Sequence, residues 1–138
     1  MKEFTAKTNT NYLHSETTGA VLQAFYAVCN KLGYGFETDV YKKTMALELE
    51  SVGLICDLNK TMPIMYGGSE IGKFEIDILV DNKVSLLVIV SEQIERKDEV
   101  KLMNQLKQTD IEVGLILNFY IEGEHKRKVF TNSIKKKY

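Results

Sequence analysis

Phe74-Glu75-Ile76-Asp77-Ile78-Leu79-Val80 and, after a turn at Asp81-Asn82, Val84-Ser85-Leu86-Leu87-Val88-Ile89-Val90 are the stretches whose reading decides the fold. In the first, Phe74, Ile76, Ile78 and Val80 alternate with Glu75, Asp77 and Leu79, which is the two-residue period of a strand. The second has nothing ionisable on it and is apolar on both faces, as expected of a central strand covered by helices. One carboxylate, Asp77, therefore sits inside an otherwise apolar run.

Upstream, Gly67-Gly68 supplies a turn, and residues 54–66 read as an extended segment with a break near Asn59-Lys60. Pro63 cannot donate to a ladder and places that segment at a sheet edge. Two helices are expected before it. Val21, Phe25, Val28 and Leu32 recur at helical spacing after Ser15, a plausible cap, and Gly33 and Gly35 end the run. A second helix is expected from Glu37 to Ser51, with Glu37 and Asp39 at the positive end of its dipole and Gly53 as its stop. Its inward side is either Val40, Thr44 and Leu47 or Tyr41, Met45 and Leu49.

Downstream, residues 95–108 are expected to form a helix with Val100, Leu102, Met103 and Leu106 inward, and Glu112–Tyr120 another strand. Past Gly123 the chain adds either a strand around Val129-Phe130 or a short helix. The order helix, helix, three strands, helix, strand predicts an α/β fold: a mixed central sheet flanked by helices. The helix between the last two confident strands predicts a right-handed parallel crossover. Residues 1–14 read as a flanking segment and 15–138 as a single domain.

Composition narrows the function. A net charge of −1 advertises no polyanion partner through the overall field. The charge is uneven, however. Glu92, Glu95, Asp98 and Glu99 make an acidic stretch, while Lys126, Arg127, Lys128, Lys135, Lys136 and Lys137 make a basic end that offers phosphate contacts to a nucleic acid. Cys29 and Cys56 are distant from each other and lack metal-ligand spacing, so free thiols in a reducing compartment are expected. His14 and His125, the latter expected in a basic loop, have no second ligand nearby in sequence. Tyr34, Tyr41, Phe119 and Tyr120 read as packing under the sheet or a binding surface. No stretch has the length and apolarity of a membrane span or targeting core, which predicts a soluble, cytoplasmic protein without a membrane partner.

At Gly33-Tyr34-Gly35-Phe36, Val40-Tyr41, Ala46-Leu47-Glu48-Leu49, Asp77-Ile78-Leu79-Val80 and Gly114-Leu115-Ile116-Leu117-Asn118-Phe119 the chain resembles the small bacterial proteins of the GxxExxY family. These belong to the PD-(D/E)XK nuclease-like superfamily, and the resemblance runs from about Ser15 to Asn118. It implies a restriction-endonuclease-like core with a site built from the first helices, the hairpin and the central strand. Carried over by position, the family's hairpin aspartate is Asp77, but its helical glutamate falls at Thr38, with Glu37 adjacent. The glutamate and lysine of its next strand fall at Leu87 and Ile89, and its downstream histidine and glutamine at Asp98 and Lys101.

Phosphodiester hydrolysis at such a site needs clustered oxygen ligands for Mg²⁺ and a cation near the phosphate. One carboxylate does not hold a hard divalent ion against water. The expected function is that of a catalytically inactive nuclease-like domain, without a cofactor, acting in association with a protein partner or with itself as a homodimer. Two alternatives stand beside it. One is a Mg²⁺-dependent nuclease with relocated residues, in which Asp77 is joined by Glu37 or Glu75 and Asp98, with Lys101 or Lys97 reaching back from the following helix. The other is a non-catalytic nucleic-acid-binding protein that uses the basic end.

Overall fold

The computed structural model describes residues 13–135. The expectations placed on residues 1–12, and on Lys136 and Lys137, lie outside the described residues.

Helix α1 spans Ser15–Leu32 and buries Val21, Phe25 and Val28, three of the four residues of the expected stripe, with Leu32 partly covered. Its cap is His14, in a left-handed conformation, and not Ser15. Ser15 is already helical, and its carbonyl accepts the Thr18 hydroxyl at 3.2 Å. Helix α2, Thr38–Glu50, turns Tyr41, Met45 and Leu49 inward and leaves Val40 and Leu47 exposed, which decides between the two candidate faces. The Tyr41 ring stacks on Phe119 with centroids 4.5 Å apart, and its hydroxyl donates to the Gly33 carbonyl at 2.7 Å. That buried anchor fixes the first turn of α2 and so fixes where the next residue, Lys42, can reach.

Strands β1 (Cys56–Tyr66) and β2 (Ser69–Val80) form a long antiparallel hairpin, β3 (Val84–Ile89) returns antiparallel to β2, and helix α3 (Arg96–Lys107) crosses to β4 (Val113–Asn118), which is parallel to β3. Strand β5 (Glu124–Val129) closes the sheet antiparallel to β4, and a single turn of helix, α4 (Asn132–Lys135), follows. The sheet is thus five-stranded and mixed, in the order β1-β2-β3-β4-β5, with the Pro63 strand at one edge and β3 in the centre. The last strand begins earlier than the expected Val129-Phe130 centre, which places His125 in a strand and not in a loop.

The core lies in two layers. On one side α1 and α2 press Val21, Phe25, Tyr41, Met45 and Leu49 against Ile78, Val80, Leu86, Val88, Leu115 and Leu117. On the other side α3 presses Leu102 and Leu106, with Ile94, against Leu87 and Ile116. Gly114 permits this approach, because a Cβ there would stand 2.8 Å from Leu102 Cδ1. Val100, expected inward, is 45% exposed. Once Leu102 and Leu106 define the buried face of α3, the helical period carries position 100 away from it.

A candidate site at the fork between two strands

The ladder between β2 and β3 is short: it pairs Ile78 to Val80 with Leu86 to Val84 and then stops. Beyond it β2 continues with β1, where Ile76 faces Lys60, while β3 continues with β4 as far as Ile89 opposite Asn118. The two strands therefore fork, and Asp77 is the first β2 residue in the fork. Its Oδ2 accepts the Val88 backbone N–H at 2.8 Å, standing in for the carbonyl that a continued ladder would have supplied. Its Oδ1 lies 3.8 Å from the Lys42 ammonium. These side chains are 22% and 13% exposed, so the pair is only partly wet.

Lys42 is held from several sides. Its ammonium donates to Asn59 Oδ1 at 2.7 Å and lies 3.7 Å from Asp39, one turn back on α2. Asn59 has a positive φ of 52° within β1, the break expected near Asn59-Lys60, and side chains of Asn tolerate that conformation better than most. The cation of this site is therefore supplied by a helix preceding the hairpin. Nothing in the linear sequence marks Lys42 for that role; only the buried Tyr41 beside it and the break at Asn59 bear on its placement.

The five other positions implied by the resemblance lie as follows. Leu87 is 4% exposed and, with Ile89 partly covered beside it, belongs to the layer under α3. Thr38 opens α2 and is exposed, and Glu37 is its cap residue, exposed and making no side-chain cap bond. Asp98 is spent on α3: its carboxylate accepts the Glu95 N–H at 2.9 Å in a capping box. Lys101 and Lys97 line a groove between α3 and the β1–β2 hairpin, and Lys97 lies 3.6 Å from Glu95. Among the described residues, Asp77 has an ion pair with Lys42 and none with Lys101. No group of three or more His, Cys, Asp or Glu side chains among the described residues is placed to hold a metal ion.

The basic end is occupied as well. Lys126 and Lys128 donate to Glu99 at 2.8 and 2.6 Å, and these two bonds pull the Glu99 carboxyl down to about 2. Arg127 donates to the Leu13 carbonyl at 3.1 Å. Lys135 donates to the carbonyls of Thr109 and Ile111 at 2.8 and 2.6 Å and so ties the last turn to the α3–β4 loop. His125 pairs with the Tyr26 hydroxyl at 2.9 Å, and burial holds its imidazole below the ordinary range. Burial also raises the free thiols, Cys56 to about 11 with help from Glu50, Asp81 and Asp57, which makes them poor nucleophiles.

The fork can accept a backbone donor and balance one ammonium. Its partly buried carboxylate, Asp77, has both oxygens engaged, beside a cation that competes with any divalent ion. No helix among the described residues is long and apolar enough to cross a membrane. A family model described as the PD-(D/E)XK nuclease superfamily matches residues 15–129. No curated protein and no solved structure matches the chain.

Proposed function

We propose, for a chain that belongs to the PD-(D/E)XK nuclease superfamily and has its restriction-endonuclease-like core, a non-catalytic role in protein association. Within the superfamily it stands as a GxxExxY-like member whose catalytic motif is largely lost, working in the cytoplasm as a homodimer or with a protein partner. The observation that carries this reading is the state of Asp77. Its oxygens serve Val88 and Lys42, while the positions that should complete a metal site hold Leu87 and Ile89 under α3.

Octahedral Mg²⁺ binding needs further oxygen ligands that these side chains do not offer. Association is supported by apolar surface left uncovered at the hairpin tip, where Tyr66 and Ile71 are 77% and 65% exposed. Free thiols at Cys29 and Cys56 suit a reducing compartment.

The test pairs calorimetric titration of Mn²⁺ and Mg²⁺ with incubation on duplex DNA, single-stranded DNA and RNA, and with sedimentation of the protein alone. The expected result is no saturable metal binding, no cleavage, and a dimer or a monomer competent for a partner. Metal-dependent cleavage that disappears in Asp77→Asn overturns the reading.

A further inference from the structure

Between the β1–β2 hairpin and α3 runs an open groove of about 900 Å³. Its apolar lining is Ile64 and Phe74 from the hairpin and Val100 from the helix, and its cationic lining is Arg96, Lys97, Lys101 and Lys107. Among the described residues no carboxylate lines it. One end is braced where Gln108, just past α3, accepts the Met65 backbone N–H at 2.9 Å. Lys97 is paired with Glu95, whereas among the described residues neither Arg96 nor Lys101 makes an ion pair. The groove is also where Val100 goes when the helical period turns it away from the core.

We propose that this groove docks an acidic segment of a partner protein, one in which apolar side chains alternate with Asp or Glu. The inference rests on the association reading above and names its surface. Charge complementarity selects the partner's sign: among the described residues four cations and no anion line the groove, on a chain whose net charge is only −1. The apolar lining selects its class. Ile64 and Val100 are aliphatic, and Phe74 is the one aromatic ring, so the surface lacks the series of stacking platforms on which single-stranded nucleic acid is held. Partly exposed aliphatic groups flanked by long cationic stems suit leucine or phenylalanine side chains with carboxylates between them.

The test uses fluorescence anisotropy with three labelled probes: a short peptide alternating Glu with Leu and Phe, the same peptide with Lys in place of Glu, and a single-stranded oligonucleotide. The acidic peptide is expected to bind, the basic one not, and the oligonucleotide more weakly than the acidic peptide. Lys101→Glu and Val100→Asp, both at exposed positions, should each weaken the acidic peptide about tenfold, while Lys83→Glu in the distant β2–β3 turn leaves it unchanged. Circular dichroism establishes that each variant is folded. Equal binding by wild type and both groove variants overturns the proposal, as does an oligonucleotide that outcompetes the peptide. Neither result touches the association reading, which falls instead on metal-dependent cleavage.

Discussion

The Asp77 fork and the layer beneath α3 share strand β3 and are made of opposite materials. In the fork, a carboxylate accepts a backbone amide at 2.8 Å and lies 3.8 Å from an ammonium. In the layer, Leu87, Ile94, Leu102, Leu106 and Ile116 exclude water entirely or nearly so. The difference teaches that an acid set into an apolar strand does not by itself make a site. Asp77 has structural work where the ladder stops, because Val88 needs an acceptor there. Position 87 has structural work too, but of another kind: it is a floor for a helix.

The strongest way to break this comparison is to place an acid in the layer. Leu87→Glu buries a carboxylate against hydrocarbon with no cation placed to receive it, and it is expected to cost about 3–5 kcal/mol in chemical denaturation. Leu87→Ala, which leaves a cavity but no charge, should cost about 2–4 kcal/mol. If Leu87→Glu is instead tolerated within about 1 kcal/mol and acquires Mn²⁺ binding, the layer is a dormant site with room for a metal, and the contrast with the fork dissolves.

A smaller effect probes the fork from the other side. Asp77→Ala leaves the Val88 N–H without its acceptor and Lys42 without its more buried counterion, and should lose about 1–3 kcal/mol. Asp77→Asn keeps an acceptor oxygen of the same reach and gives up only the ion pair, which partial exposure holds to about 1 kcal/mol or less. The two substitutions must therefore separate. Equal losses would mean that the charge, and not the amide bond, is what the fork requires.

How far the sequence discloses all this follows from the range over which each signal acts. The period of two in β2, the doubly apolar β3 and the glycine after α1 are local, and each marks its element directly. Pro63 likewise betrays an edge, since a missing donor has a place only there. The core face of α2 was ambiguous because Tyr41 and Val40 are both apolar enough to go inside; the stacking on Phe119, distant in sequence, decides it. Lys42 was illegible for the same reason, as its partners Asn59 and Asp77 come from two later strands. The basic run at residues 126–128 misleads in the opposite sense: it reads as a free surface until α3 brings Glu99 alongside.

The finest test concerns a polar atom stranded in the layer. Ser85 lies on β3 two residues before Leu87, on the same strand face, and is 2% exposed. Its hydroxyl has no hydrogen-bond partner among the described residues. A buried hydroxyl without a partner carries a desolvation penalty with nothing to offset it, and alanine removes the hydroxyl at the expense of a very small void. Ser85→Ala is therefore expected to be neutral or to raise stability by up to about 1 kcal/mol, measured by urea unfolding at constant m. A loss of similar size would show that the hydroxyl is satisfied by buried water. The layer would then keep a polar pocket beside Leu87, and the boundary between hydrocarbon and fork would have to be drawn nearer to α3.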